Sequence, residues 1–498
     1  MDRKYDELMT YVEKMQALGM AQGLFGWDLE TEAPREAGAL TARMMGSLSS
    51  QYFDILTSPQ VGELLCQAAE EELDEAQKAI LRELAKERDR LCRIPAEEYR
   101  EYAELTAGAT QIWARAKENN DFASFAPVLT RIAEMSARIA GYSKKEGQSA
   151  YDAMLWQYEE GFGRDVLDPF FALLREHIVP LLRAVMESGR AVDAGPLHRS
   201  FDIDKQRQFN RYLAEYVGFN FGRGVMGESE HPFTIGLHNR DVRITTHYYE
   251  NLLESAMFST IHEAGHAVYE MNVDDALTLT PVAGGASCGM HESQSRLMEN
   301  MIGRSPAFWE PLYPKLQELF ADELAGVSAG EFVRMINRVS PSLIRTEADE
   351  LTYCLHVLIR YEIEKDLIDG SLEVKELPQV WNDKYEEYLG VRPLTDTEGV
   401  LQDIHWSQGS IGYFPSYALG NAFAAQIYRA MDREIDVESC LRRGEISRIT
   451  EWLKEKVHRF GRVKPAQELL REATGEEFNP RYYIDYLTEK FTGLYGLK

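Results

Sequence analysis

The sequence predicts an all-α protein, predominantly helical, with one small β-hairpin. Three observations carry this reading. Apolar residues recur at helical spacing, as in Leu64, Leu65, Ala68 and Ala69 among acidic residues, and again in Leu351, Leu355, Leu358 and Ile359. Capping signals agree: Ser328 with Glu331 forms a capping-box pattern ahead of an apolar series, and Gly370 follows Leu367-Ile368-Asp369, where a helix can end. One interval differs, because residues 231–237 and 241–247 alternate with period two on either side of His238-Asn239-Arg240, and this reads as the hairpin.

A chain of 498 residues, 44% hydrophobic, can bury a large core. No internal repeat, low-complexity tract or Pro/Gly/Ser linker marks a boundary, so residues 1–498 are read as a single α-rich domain. The 54 basic and 81 acidic side chains leave a net charge of -27, which repels a polyanion, so nucleic acid is not an expected partner. No run approaches the roughly 20 apolar residues that span a bilayer, and residues 1–7 lack the apolar stretch of a secretory signal. The expected address is the cytoplasm, with no membrane partner. Cysteines at 66, 92, 288, 354 and 440 are odd in number and show no clustered spacing, so they read as free thiols, neither a disulfide framework nor a thiolate metal site.

The chemistry begins at His262-Glu263-Ala264-Gly265-His266, an HExxH pattern inside a proline-free segment from about 250 to 271 that reads as one helix. On a helix, positions i and i+4 lie about 40° apart in projection and roughly 6 Å apart along the axis, so both imidazoles can reach one ion. Glu263, beside them, can take a proton from an attacking water and deliver it to a leaving amine. A histidine taken singly is usually a satisfied core residue. Here, however, Ile261, Ala264, Ala267 and Val268 surround the polar trio, and burying it without a partner is costly.

Catalytic zinc normally takes three protein ligands, so a third must be found. After the glycine-rich loop Gly284-Gly285-Ala286-Ser287-Cys288-Gly289, a second helix is expected to start near His291, and His291, Glu292 and Glu299 are the candidates. The metzincin pattern is absent, because Tyr269 and Asn272 stand where it needs glycine and histidine, so a glutamate from a separate helix fits better. The loop lacks the Lys-Ser/Thr of a phosphate-binding P-loop and reads as a turn-forming linker.

With these residues laid out, the sequence resembles the carboxypeptidase Taq family over essentially its whole length. The motifs that carry the match are His231-Pro232-Phe233, Asp241-Val242-Arg243-Ile244-Thr245, the HExxH segment, His291-Glu292-Ser293-Gln294, Ile344-Arg345-Thr346-Glu347-Ala348-Asp349 and Gly399-Val400-Leu401-Gln402-Asp403-Ile404-His405-Trp406. The resemblance implies Glu292 as the third metal ligand beside His262 and His266. It also implies an almost wholly helical deep-cleft fold like those of neurolysin and angiotensin-converting enzyme, and a homodimer. Two departures are visible: Ala33 stands where methionine is expected, and Ala286 where threonine is expected. They bear on substrate preference.

Release of one residue from a C-terminus needs a cation to recognise the free carboxylate, and the arginine fork suits this. Arg243 and Arg345 are the candidates, each weighed against a purely structural pairing with Asp241 or Asp349. His405 and Tyr413 are assigned as donors to the tetrahedral oxyanion by resemblance to angiotensin-converting-type peptidases, with Tyr417 in reserve. Zn2+ fits the N/N/O donor set, and Co2+ fits it as well. The expected substrates are peptides with a free C-terminus. The rival readings are an oligoendopeptidase or dipeptidase of the same chemistry, a non-catalytic helical binding protein, and a hydrolase using Cys288 with His291.

Overall fold

A computed structural model describes residues 3–497. It is built almost wholly of α-helices with one small sheet, as the periodicity predicts. The capping box at Ser328 is present, with the Ser328 amide donating to Glu331 Oε2 at 2.8 Å. Gly370 adopts φ +76° just beyond the helix Glu350–Ile368, the left-handed conformation that closes a helix without a Cβ clash.

By packing, the chain falls into two units, each assembled from three separated stretches. The first comprises Met1–Cys92, Asp193–Ile336 and Gln426–Phe478. Its N-terminal helix Lys4–Thr31 buries Tyr5, Leu8, Val12 and Met15 in a cluster with Leu64, Leu65 and Ala68, and with Val273, Leu277 and Val282. Of the stripe read from the sequence, Leu64, Leu65 and Ala68 are therefore a packing face, whereas Ala69 is exposed.

The first unit also holds the sheet. The expected hairpin is present and the structure adds a strand to it: the described residues form β1 (Gly224–Glu228), β2 (Thr234–His238) and β3 (Asp241–Thr246), in the order β1-β3-β2. Strands β2 and β3 form the expected antiparallel pair, with a bulge near Gly236, and β1 pairs with β3 in parallel. Val242 and Ile244 of β3 are fully buried, while Asp241 and Arg243 occupy the alternate face.

The second unit comprises Arg93–Val192, Asn337–Ala425 and Asn479–Lys498. At its centre the helix Glu350–Ile368 is buried nearly all round. Beside the predicted apolar residues it carries His356, Arg360 and Glu364, spaced i, i+4 and i+8 along one stripe and each wholly buried. All five cysteines are free thiols. Among the described residues no helix is long and apolar enough to cross a membrane.

Candidate metal centre

The HExxH segment lies in the helix Leu253–Asn272, close to the predicted span. The second helix runs Cys288–Arg296, beginning three residues before His291. Ser287 caps it, its hydroxyl accepting from the Met290 amide at 3.0 Å. The backbones of the two helices meet at Gly265. A Cβ there would fall 2.7 Å from Gln294 O and 2.7 Å from Ser295 Cα, so only glycine allows this approach.

Close packing brings three donors together. Among the described residues, His262, His266 and Glu292 form the one group that offers three ligand atoms within 4.8 Å of one another. Glu292 Oε2 lies 3.7 Å from His262 Nε2 and 3.3 Å from His266 Nε2. Ligand distances of about 2.0–2.1 Å place tetrahedral donors about 3.3 Å apart, so the donor set and its spacing fit a zinc-sized ion.

The other ring nitrogens are already engaged. His262 Nδ1 donates to Glu299 Oε2 at 2.9 Å. His266 Nδ1 lies 2.5 Å from His291 Nδ1, and His291 Nε2 lies 2.7 Å from Glu270 Oε1. A chain of donors running from His266 through His291 to the Glu270 carboxylate satisfies every proton. With those outer protons in place each Nε2 can ligate when its ring is neutral; burial favours that form at His262, but Glu292 and Glu299 outweigh it and raise the ring, so a cation bound there displaces a proton. Glu299 thus lies behind His262, bonded to its Nδ1, and is not one of the three converging donors. It sits in a π-helical stretch, Leu297–Ile302, directly after the second helix. His291 is likewise a partner, and with both its nitrogens engaged neither is left to activate Cys288.

The electrostatics follow the geometry. Burial opposes the charge of Glu292, but Arg296 at 2.6 Å, with His262 and His266, holds its carboxyl well below the usual range. Glu299 is likewise opposed by burial, yet Arg296, His262 and Arg304 hold it down to about 2. Burial pushes His266 down to about 4, which keeps its ring neutral, the form that ligates. Glu263, 7% exposed, is pushed upward by burial and by the charge of Glu292, against His262 and the Thr234 hydroxyl at 2.5 Å. Two neighbouring carboxyl groups are therefore driven apart, one held as an anion and the other moved towards base strength at neutral pH.

The remaining sequence-predicted residues sit as follows. Arg243 makes a two-pronged pair with Asp241, Nε to Oδ1 and Nη2 to Oδ2 both at 2.9 Å. Arg345 does not pair with Asp349. Asp349 instead caps the helix Glu350–Ile368, accepting from the Leu351 and Thr352 amides. Arg345 donates to Asp403 Oδ1 from Nε at 3.1 Å and from Nη2 at 3.0 Å, and Arg360 holds Oδ2 at 2.7 Å. His405 stacks on Tyr413 with ring centroids 5.7 Å apart and approaches the Tyr417 hydroxyl at 3.4 Å. Burial above all, with Arg345 and Arg360 against Asp403, pushes the His405 ring down to about 4, so it is neutral at physiological pH.

Glu299, His291, Thr234, Gly265 and Asp403 were not assigned these roles from the sequence. A signal was present for Glu299, which lies seven residues after Glu292 on one helical face.

Two histidines of one helix meeting a glutamate of another, with a spare glutamate beside them, define a helical metallopeptidase. The chain belongs to the carboxypeptidase Taq (M32) metallopeptidase family, whose model matches residues 7–491. It is 42% identical over 494 residues to Carboxypeptidase 1 of Bacillus subtilis (strain 168), covering 99% of this chain and 98% of that one. It is 38% identical to Thermostable carboxypeptidase 1 of Pyrococcus furiosus, covering 97% and 98%. The structure superposes on the M32 carboxypeptidase from Deinococcus radiodurans R1 with a TM-score of 0.97 at 37% identity, over 100% of both chains. The protein is a metallocarboxypeptidase, and the endopeptidase and binding-protein readings fall away.

Proposed function

We propose that the chain removes single residues from the C-terminus of peptides as a zinc enzyme, with His262, His266 and Glu292 as the metal ligands. The observation that carries this is the convergence of two imidazole nitrogens and one carboxylate oxygen, each residue fixed from behind by a partner of its own. When bound, the ion polarises the scissile carbonyl and acidifies water. Cobalt suits the same donors.

Glu263 takes a proton from the attacking water and returns it to the leaving amine, and its upward shift suits both steps. His405, neutral, and Tyr413 donate to the oxyanion of the tetrahedral intermediate. Arg243 and Arg345 are the candidates for gripping the substrate carboxylate. Exposure favours Arg243, whose side chain is 21% exposed against 7% for Arg345. Residues 1–498 act as one catalytic domain, which the match over residues 7–491 supports. The working form is a cytoplasmic homodimer, to be checked by sedimentation.

The test is release of free amino acid from a peptide blocked at its N-terminus, before chelation, after it, and after zinc or cobalt is returned. Chelation abolishes release and either metal restores it. Glu263→Gln keeps its metal and loses kcat by about a hundredfold or more. Full activity in that variant would remove Glu263 from the mechanism.

A further inference from the structure

Glu364 is wholly buried, and no catalytic step uses its carboxyl group. Burying a carboxylate is expensive, and a hydrophobic residue would fill the same place more cheaply. A carboxyl group offers two oxygens and no amide N–H, so it can take three donors where glutamine or an apolar side chain cannot. Trp406 Nε1 donates to Oε1 at 2.8 Å, while the Gly412 amide and the Tyr151 hydroxyl each donate to Oε2 at 2.9 Å.

Two of these three donors flank the residues of interest. Trp406 directly follows His405, and Gly412 directly precedes Tyr413. The chain between them is a short 3-10 turn, His405–Gln408, followed by two glycines with positive φ, Gly409 at +74° and Gly412 at +89°. Such a segment has little regular hydrogen bonding of its own, so its shape must be imposed from outside. Gly412 also lies against the helix Ala150–Tyr158, where a Cβ would meet Met154 C at 3.0 Å and Leu155 N at 3.1 Å. Trp406 is fixed edge-on to Trp381 at 6.0 Å.

We propose that Glu364 is a positioning residue, a buried clamp that grips the segment at Trp406 and Gly412 and so fixes His405 and Tyr413 in one arrangement. The inference rests on the oxyanion role given to His405 and Tyr413 above. Because a donor misplaced by a fraction of an ångström weakens the transition state more than the ground state, loss of the clamp falls on kcat.

Glu364→Gln is the first test, since an amide presents a donor where Gly412 or Trp406 needs an acceptor. The expected result is a fall in kcat of roughly tenfold, with KM within about twofold and metal content unchanged. Tyr151→Phe is the comparison, because it removes the one bond to Glu364 that does not reach the segment, and kcat is expected to stay at the wild-type value. A role confined to stability would move the melting temperature of both variants and the kcat of neither. Unchanged kcat in Glu364→Gln, or an equal fall in Tyr151→Phe, overturns the clamp. If Glu364→Gln does not fold, Trp406→Phe takes its place with the same expected result and the same overturning one. His405→Gln separates the clamp from the reading beneath it: wild-type kcat in His405→Gln refutes the oxyanion role, whereas a slow His405→Gln beside a fast Glu364→Gln refutes the clamp alone.

Discussion

Around Asp403 the charges complement one another. Arg345 takes one carboxylate oxygen and Arg360 the other, and Gln402 Oε1 accepts from Arg360 at 2.8 Å. Around Glu292 the same kinds of residue are arranged differently. Arg296 holds the outward oxygen at 2.6 Å, and the inward one accepts from the Ser295 hydroxyl at 3.0 Å and faces two imidazole nitrogens. Both clusters are buried, and both depress a carboxyl pKa. One closes on itself, whereas the other turns two ring nitrogens and a carboxylate oxygen toward one point, where a cation can be held. Burial and a shifted pKa therefore do not distinguish a site from a structural ion pair. The convergence of three donor atoms on one point does.

Neutralising one carboxylate in each cluster sharpens this contrast most. Glu292→Gln removes charge from the converging acceptors and is expected to cut metal occupancy and activity by at least about a hundredfold while leaving the fold largely intact. Asp403→Asn leaves two buried guanidinium groups without their anion and is expected to cost about 3–5 kcal/mol of stability, with metal bound per folded molecule unchanged. Calorimetric unfolding and metal analysis on both variants decide the matter. A reversed pattern would mean that the clusters have been assigned the wrong way round.

Orientation from behind comes next in size. Glu299→Gln keeps an acceptor for His262 Nδ1 but loses the charge, and metal affinity is expected to fall about 10–100-fold. Competition with a fluorescent chelator measures it, and an unchanged affinity would reduce Glu299 to a salt-bridge partner of Arg296 and Arg304. Gly265→Ala forces the two ligand-bearing helices apart, because the atoms it meets are backbone. A loss of about 1–3 kcal/mol is expected, seen as lower stability of the metal-loaded protein.

The two clusters also differ in how much of them the sequence disclosed. His262, Glu263 and His266 lie within five residues, so helical geometry alone places them together. Glu292 required a family resemblance, because nothing local separates it from His291 or Glu299. Glu299 meets His262 across 37 residues and Asp403 meets Arg345 across 58, and contacts at such separations leave no periodic trace. Asp349, nearer in sequence, was the natural partner to assign to Arg345, but capping claimed it. Strand β1 escaped for another reason: Gly224 and Gly227 blur its alternation, and its parallel partner lies beyond β2. The stripe His356, Arg360, Glu364 was legible in principle, since three ionisable residues at i, i+4 and i+8 share one face of a helix that also carries Leu351, Leu355, Leu358 and Ile359.

That stripe supplies the smallest prediction, one of pH. Burial above all pushes Glu364 up to about 7, against the Trp406, Gly412 and Tyr151 donors and the Arg360 charge one turn away on the same helix. A carboxyl raised on folding contributes its full stability below its unfolded value near 4.5 and loses it as pH rises through about 7. Glutamine at that place does not titrate. The stability difference between wild type and Glu364→Gln should therefore narrow by about 1 kcal/mol between pH 6 and 8, in the direction of a relatively weaker wild type at high pH. Denaturant unfolding at the two pH values measures it, with every other titrating group common to both proteins. A difference that stays flat would mean that Glu364 is already ionised at pH 6, with its three donors and Arg360 outweighing burial.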